Sequence, residues 1–187
     1  MFRNIWLRKT YHLITGAVLL TCIAKLPRPW LLGAGVTWLV VFGLLSRRLS
    51  TAVVGLLIVN LLSASRLVTL GAAVVLVAGD AMSAVVGTAL PVGRWPWNPR
   101  KTVAGTVAFL VFAGSALALL LWRMIDPPAS RLAIVSVLPA LVGAVAELTP
   151  WAAVADLRDA APDDNLAVTV SAGGTLALLL VLLGFTG

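Results

Sequence analysis

The sequence predicts an all-α membrane protein that folds as one polytopic transmembrane helical bundle over residues 1–187. The chain is 60% hydrophobic and 11% charged, whereas soluble domains carry about 25% charged residues. Its mean hydropathy is +1.04. The apolar residues form several long runs rather than one, and this distribution is typical of a bundle of spanning helices.

Seven apolar runs predict about seven transmembrane helices. The runs cover roughly residues 11–25, 29–45, 51–65, 67–90, 103–122, 131–149 and 165–185, with bounds uncertain by about 2–4 residues. Prolines separate most of them, as expected for a residue that cannot continue a helix. The first run resembles a signal peptide, but the rest of the chain is equally apolar, so we interpret it as a helix. The third and fourth runs are open to a second interpretation, a hairpin that does not cross the membrane.

The fourth run contains a carboxylate, Asp80. A lone carboxylate at the centre of a spanning helix costs about 2.5–3.5 kcal/mol on insertion scales. We therefore expect this helix to end near Gly79, with residues 81–90 at the interface or facing the bundle interior.

The charged residues are divided unequally between the two ends of the bundle. Seven crossings place the N-terminus and the links 46–50, 91–102 and 150–165 at one end, with nine of the fourteen basic residues. The positive-inside rule makes this end, and the N-terminus, cytoplasmic. Six of the seven acidic residues share it: Asp80, Glu147, Asp156, Asp159, Asp163 and Asp164. We predict an integral protein of the plasma membrane with a polar active site on its cytoplasmic face.

The net charge of +7 would suggest a nucleic-acid partner in a soluble protein. Here the basic residues flank apolar runs, so membrane orientation and anionic lipid headgroups explain them better. We predict membrane lipids and no nucleic acid as partners. The exposed membrane surface also permits a homodimer.

The stretch from Gly79 to Gly87 predicts a phosphate or cation site. On a helix, Asp80, Ser83 and Gly87 share one face because they are three or four residues apart. A carboxylate, a hydroxyl and a bare backbone along one stripe suit a phosphate with its bound cation. The alternative is a helix-packing face of small residues, which is common in membranes but does not account for the carboxylate.

A basic segment before the fifth helix predicts anion binding. Lys101 and Thr102 lie where that helix begins, and the N–H groups of a first helical turn favour an anion. Arg100 adds positive charge, and Gly105 opens the face one turn later. The alternative role is interfacial anchoring by the nearby tryptophans and basic side chains, and both roles are compatible.

The first helix begins with Arg8, Lys9 and His12, and Arg8 and His12 are one turn apart on the same face. The alternative for the two basic residues is that they only set the membrane topology.

The seventh helix opens with Asp163, Asp164 and Asn165. Capping explains one of these residues but not two adjacent carboxylates with an amide. Paired carboxylates suit Mg²⁺, which prefers oxygen ligands. Glu147, near the end of the sixth helix, is either a further ligand or part of a surface-exposed helix end.

Taken in order, these four stretches resemble the motifs of the CTP-dependent lipid-alcohol kinases, the family of dolichol kinase, phytol kinase and yeast-type diacylglycerol kinase. The family motifs are Arg-Lys-x-x-His, Gly-Asp-Ala-x-Ala-x-x-x-Gly, Lys-Ser/Thr-x-x-Gly-Ser/Thr and Asp-Asp-Asn. Their counterparts lie at residues 8–12, 79–87, 101–106 and 163–165, so the resemblance covers nearly the whole chain. The chain departs from the family at Ser83, where the family often has Ala, and in the loop 93–101.

The resemblance implies transfer of the γ-phosphate of CTP to an isoprenoid alcohol, such as phytol, geranylgeraniol or a polyprenol, with Mg²⁺ as cofactor. It implies catalytic roles for Asp80, Lys101 and Asp164. Either carboxylate could accept the proton of the alcohol, and His12 is an alternative base. The residues assigned to nucleotide and phosphate binding are Arg8, Lys9, His12, Gly79, Ser83, Gly87, Arg100, Thr102, Gly105 and Asn165. The residues assigned to the metal are Asp80, Asp163, Asp164 and Glu147.

Two other functions are weighed against the kinase. A CDP-lipid synthase also uses CTP, but this chain has a single histidine and no Asp-Arg pair, both of which matter in that family's signature. A small transporter would distribute its acidic residues through the depth of the membrane and show repeated halves. The sequence shows neither feature.

Overall fold

A computed structural model describes the backbone of residues 5–42, 47–150 and 164–185, and the side chains of residues 10, 13–40, 51–150 and 164–185. These ranges contain seven helices and one two-stranded hairpin. The helices are α1 (Ile5–Lys25), α2 (Arg28–Phe42), α3 (Arg47–Ser63), α4 (Arg66–Ala89), α5 (Val103–Ile125), α6 (Ala129–Leu148) and α7 (Asp164–Leu182). The strands β1 (Arg94–Trp95) and β2 (Asn98–Thr102) lie between α4 and α5.

The predicted helical architecture is confirmed. Each of the seven predicted runs is a helix, in the predicted order. Within the described residues, α4, α5, α6 and α7 are long and apolar enough to cross a membrane. Seven crossings and a cytoplasmic N-terminus stay predictions.

The expected end of the fourth helix near Gly79 is wrong. Helix α4 continues without a break through Asp80 to Ala89. The expectation treated Asp80 as a carboxylate facing lipid, but its side chain is half-buried and Ala81 and Ser83 beside it are buried. A carboxylate inside the bundle with polar neighbours does not carry the full penalty of exposure to hydrocarbon.

Helix α4 is the central helix of the bundle, since it packs against α1, α3, α5, α6 and α7. Small residues allow these close approaches, as is common between membrane helices. A Cβ atom on Gly79 would lie 2.5 Å from the ring of Phe109, which is fully buried. Near the end of α4, Gly87 lies against the backbone of Gly105, and a Cβ on Gly87 would lie 3.4 Å from the Cα of Gly105.

The hairpin of β1 and β2 was not predicted, and it fixes the segment that carries the basic residues. The indole Nε1 of Trp95 donates a 2.9 Å hydrogen bond to Thr106 in α5. The amide of Asn98 donates to the carbonyl oxygen of Leu148 at the end of α6, at 3.1 Å. The last strand residue, Thr102, is the N-cap of α5 and accepts a hydrogen bond from the N–H of Gly105. The hairpin therefore connects the start of α5 with the end of α6.

Candidate functional site at the hairpin end of the bundle

Four polar residues from four separate segments meet at the hairpin end of the bundle. Lys101 Nζ lies 2.8 Å from Glu147 Oε1 and 3.1 Å from Asp164 Oδ2. Ser83 Oγ donates a 2.8 Å hydrogen bond to the same Glu147 oxygen. We call Ser83, Lys101, Glu147 and Asp164 the Lys101 cluster. Its members come from α4, β2, α6 and α7, so the cluster exists only in the folded bundle.

Each residue of the Lys101 cluster is held by the local structure of its segment. Lys101 directly precedes the Thr102 N-cap, so the start of α5 fixes its backbone. Glu147 is the second-last residue of α6, and Asp164 is the first residue of α7. An acidic residue in the first turn of a helix is also favoured by the helix dipole. Ser83 lies almost two turns before the end of α4.

The cluster has one buried side and one solvent-accessible side. The side chain of Glu147 is 4% exposed, that of Lys101 is 25% exposed and that of Asp164 is 44% exposed. Glu147 therefore lies at the bottom of the site and Asp164 at its rim. The surface-exposed helix end that was the alternative for Glu147 does not occur.

The two carboxylates keep the Lys101 side chain charged. Burial alone would lower the pKa of Lys101, but Glu147 and Asp164 outweigh it and raise the pKa above its ordinary value of 10.5. The ammonium is therefore protonated at neutral pH. An ammonium has three N–H donors. Among the described residues the Lys101 ammonium donates a hydrogen bond to Glu147 and forms an ion pair with Asp164, so a further donor can bind an anionic ligand.

Asp80 lies beside the Lys101 cluster and not in an isolated position. It is three residues before Ser83 on the same face of α4, and the Ser83 hydroxyl lies 3.3 Å from the Asp80 carbonyl oxygen. Its carboxylate is close enough to Glu147 to act on it electrostatically. The structure thus brings together Asp80, Lys101, Glu147 and Asp164, which the sequence assigned to catalysis or metal binding.

The donor set of the site is chemically suited to Mg²⁺. When ionised, the carboxylates of Asp80, Glu147 and Asp164 exceed the single positive charge of Lys101 by two negative charges. Mg²⁺ is usually bound by one or two carboxylates together with water and substrate phosphates. Among the described residues no group of three or more His, Cys, Asp or Glu has the spacing of a complete protein-only metal site. The carboxylates of this site fit one in which Mg²⁺ is bound partly by the protein and partly by the phosphates of a substrate.

The glycines and Thr102 that were assigned to phosphate binding take part in helix packing and capping. A Cβ on Gly105 would lie 2.8 Å from the carbonyl oxygen of Ser83, and one on Gly87 would lie 2.8 Å from the Thr102 hydroxyl oxygen. Gly79 lies against a buried ring, and the Thr102 hydroxyl caps α5. These contacts support the packing alternative for the glycines. They also bring the α5 N-terminus next to Ser83, within the site.

The remaining predicted residues are only partly described. Arg100 is exposed on β2, next to Lys101 in the chain, and Asn165 is half-buried in the first turn of α7. The backbone of Arg8, Lys9 and His12 lies in α1, but their side chains are outside the described part of the structure. Asp163 also lies outside the described residues. The roles of all these residues stay predictions.

Sequence reasoning gave too little weight to Glu147 and did not anticipate its partners. It is the centre of the site, since it contacts both Ser83 and Lys101. A signal was present, because an acidic residue within an apolar helix near its end requires a partner. The spacing along the chain does not reveal which partner that is.

The chain matches no protein-family model, no curated protein and no solved structure.

Proposed function

We propose that this protein is a membrane-embedded kinase that transfers the γ-phosphate of CTP to the hydroxyl group of an isoprenoid alcohol. The observation that carries the proposal is the contact of Lys101 with both Glu147 and Asp164, beside Asp80 and Ser83, at one end of an apolar bundle. A charged cluster with a buried side and a solvent side lets a soluble nucleotide meet a lipid hydroxyl. The nucleotide and the class of alcohol come from the family resemblance of the four motifs.

In the proposed reaction, the alcohol oxygen forms a bond to the γ-phosphorus as the bond from that phosphorus to the bridging β,γ-oxygen breaks. The products are the lipid monophosphate and CDP, and the alcohol proton passes to a carboxylate. Such transfers depend mainly on positioning and on neutralising charge on the phosphate oxygens. Lys101 is suited to that neutralisation, because it stays charged and has a third N–H donor. Arg100, exposed beside it, adds a second positive charge at the rim.

We assign the proton acceptor to Asp80. It is half-buried and lies one turn from Ser83 on the helix that lines both the site and the apolar interior. Asp164 lies at the rim of the site, where its side chain is 44% exposed. When bound, Mg²⁺ supplies further charge neutralisation for the triphosphate, and Asp164, at the rim of the site, is the described residue that would hold it. The site faces the cytoplasm in this proposal, where nucleotides are present.

The proposal is tested with purified protein, Mg²⁺ and a panel of lipid alcohols, using CTP labelled at either the γ- or the α-phosphate. Entry of γ-label into the lipid is the expected result. Entry of α-label would instead indicate a cytidylyltransferase, and no label in lipid with CTP or ATP would contradict the proposal. Asp80→Asn is expected to lower the rate by about 10²–10⁴-fold, the usual contribution of a general base.

Asp126→Asn is the matched control for Asp80→Asn. Asp126 is the acidic residue at the opposite end of the bundle, where it is the C-cap of α5. Because it lies outside the proposed site, its variant is expected to keep the wild-type rate. Equal rates for Asp80→Asn and the wild type would remove Asp80 from the reaction.

A further inference from the structure

An apolar cleft lies between the first four helices. Its volume is about 290 Å³, and its walls are formed by α1, α2, α3 and α4. Aliphatic side chains dominate the lining, among them Leu19, Leu31, Leu56 and Leu76. Ile14 and Val18 also line it and are more than half exposed, so the cleft opens towards the surface of the bundle on the α1 side.

Two polar residues of the cleft, Asn60 and Thr69, lie at its far end and are bonded to one another. Asn60 donates a 3.2 Å hydrogen bond to Thr69, and the Arg28 side chain donates to the side-chain and backbone oxygens of Asn60. Thr69 in turn donates to the carbonyl oxygen of Ser65. This network joins α2, α3 and α4 and closes the end of the cleft away from the hairpin. The rest of the lining is mainly aliphatic, with Thr15 and Trp38 as further polar side chains, and it suits a chain that is mostly apolar.

The wall that α4 contributes to the cleft leads directly to the site. Thr69, Leu76 and Asp80 are seven and four residues apart, so they lie on one stripe of the helix that continues to Ser83. Thr69, Leu76 and Val77 line the cleft. From Val77 to Asp80 the helix rises only about 4.5 Å, and from Thr69 to Val77 it rises about 12 Å.

We propose that this cleft holds the first part of the apolar chain of the alcohol substrate, with its hydroxyl group at Asp80. The inference rests on the proposed function and adds the place where the substrate chain binds. A cavity of about 150 Å³ holds a benzene molecule, so this cleft, at roughly twice that volume, has room for about a dozen carbon atoms. It follows α4 over about 12 Å of a hydrocarbon core that is about 30 Å thick. The opening beside Ile14 and Val18, which lies level with Val77, lets the chain enter the cleft from the bilayer.

The native cysteine allows occupancy of the cleft to be measured without any catalytic reaction. Cys22 is the single cysteine of the chain, lines the cleft and is partly exposed. A membrane-permeant maleimide added to the wild-type protein in lipid nanodiscs would label this residue. With geranylgeraniol at about nine times its Kd and no nucleotide, the unoccupied fraction and hence the labelling rate are expected to fall about tenfold. Equal protection by the hydrocarbon that lacks the hydroxyl would show a groove filled by any lipid chain and would overturn the inference.

A pair of alanine variants tests the location. Ala34→Trp fills the cleft, because Ala34 lines it, whereas Ala17→Trp places the same ring on an exposed α1 position outside the lining. Ala34→Trp is expected to abolish the protection of Cys22 by the alcohol and to raise the KM for the alcohol, while the KM for the nucleotide stays unchanged. Ala17→Trp is expected to behave like the wild type. Protection of Cys22 without phosphate transfer would support the cleft and contradict the kinase, whereas transfer with an unchanged alcohol KM in Ala34→Trp would overturn the cleft alone.

Discussion

Replacement of Lys101 by methionine removes the cation of the Lys101 cluster while keeping a side chain of similar length. Glu147, whose side chain is 4% exposed, then loses its positively charged partner and keeps only the Ser83 hydroxyl among the described contacts. Removal of one partner of a buried ion pair typically costs about 3–5 kcal/mol. The contact with Asp164 contributes only about 0.2–1 kcal/mol, because that side chain is 44% exposed and screened by water. Lys101→Met is therefore expected to lower the free energy of unfolding by about 3–6 kcal/mol in total.

Equilibrium unfolding in detergent micelles measures this loss, with Arg100→Met as the matched control. Arg100 is the exposed neighbour of Lys101 on the same strand, and surface substitutions usually change stability by less than about 0.5 kcal/mol. A double-mutant cycle with Glu147→Gln separates the pair from the single residues. The coupling energy is expected within the range of about 0.5–3 kcal/mol that is usual for contacting residues. If Lys101→Met is as stable as Arg100→Met, or if the two changes are additive, the ion pair does not hold the bundle end together.

Two further predictions concern packing and pH. Gly105→Ala is expected to destabilise the fold by about 1–3 kcal/mol, because its Cβ would lie 2.8 Å from the backbone oxygen of Ser83. The control is Gly174→Ala, whose Cβ would meet nothing within 4 Å and which is expected to be neutral or slightly stabilising. Equal thermal midpoints for the two variants would contradict the close contact at Gly105. The raised pKa of Lys101 means that its ion pairs stabilise the fold fully below pH 10.5 and lose that effect as the pH rises through the higher folded-state pKa. The difference in stability between wild type and Lys101→Met, measured by thermal denaturation, should therefore stay constant to about pH 10 and become smaller above it. A decrease already near neutral pH would contradict the raised pKa of Lys101.

The helices could be predicted from the sequence because spanning segments are marked by their composition. The six later helices agree with the predicted runs to within about four residues at every bound, which is the usual uncertainty of such a prediction. Helix α1 begins at Ile5 and not near residue 11, because the helix continues through the polar interfacial residues, which an apolar run does not include. The wrong end predicted for the fourth helix, near Gly79, has a similar origin. A hydropathy scale gives a carboxylate the same cost whether it faces lipid or the interior of the bundle.

The residues of the site could be predicted by type but not by contact. Lys101 and Asp164 were candidates because they lie where helices begin, and Asp80 was a candidate because it is a carboxylate within an apolar run. All three lie at one end of the bundle. The pairing of Lys101 with Glu147 joins residues 46 positions apart on different helices, and no local pattern specifies it. For Gly79, Gly87 and Gly105 the local pattern suggested a ligand, but the structure shows that they allow close contact between α4 and α5.

Packing of the apolar interior does not account for the charged cluster. Its interior is already closed by small residues and by Phe109 between α4, α5 and α6. Replacing a buried ion pair with well-packed apolar residues is often neutral or stabilising by about 1–4 kcal/mol, so packing alone gives no reason for a buried carboxylate at Glu147. A structural ion pair also has no need of a solvent side, yet Lys101 and Asp164 are 25% and 44% exposed. A buried acid, a partly exposed cation and an acidic rim are the arrangement expected where a charged ligand must enter from water and be held at the end of an apolar interior.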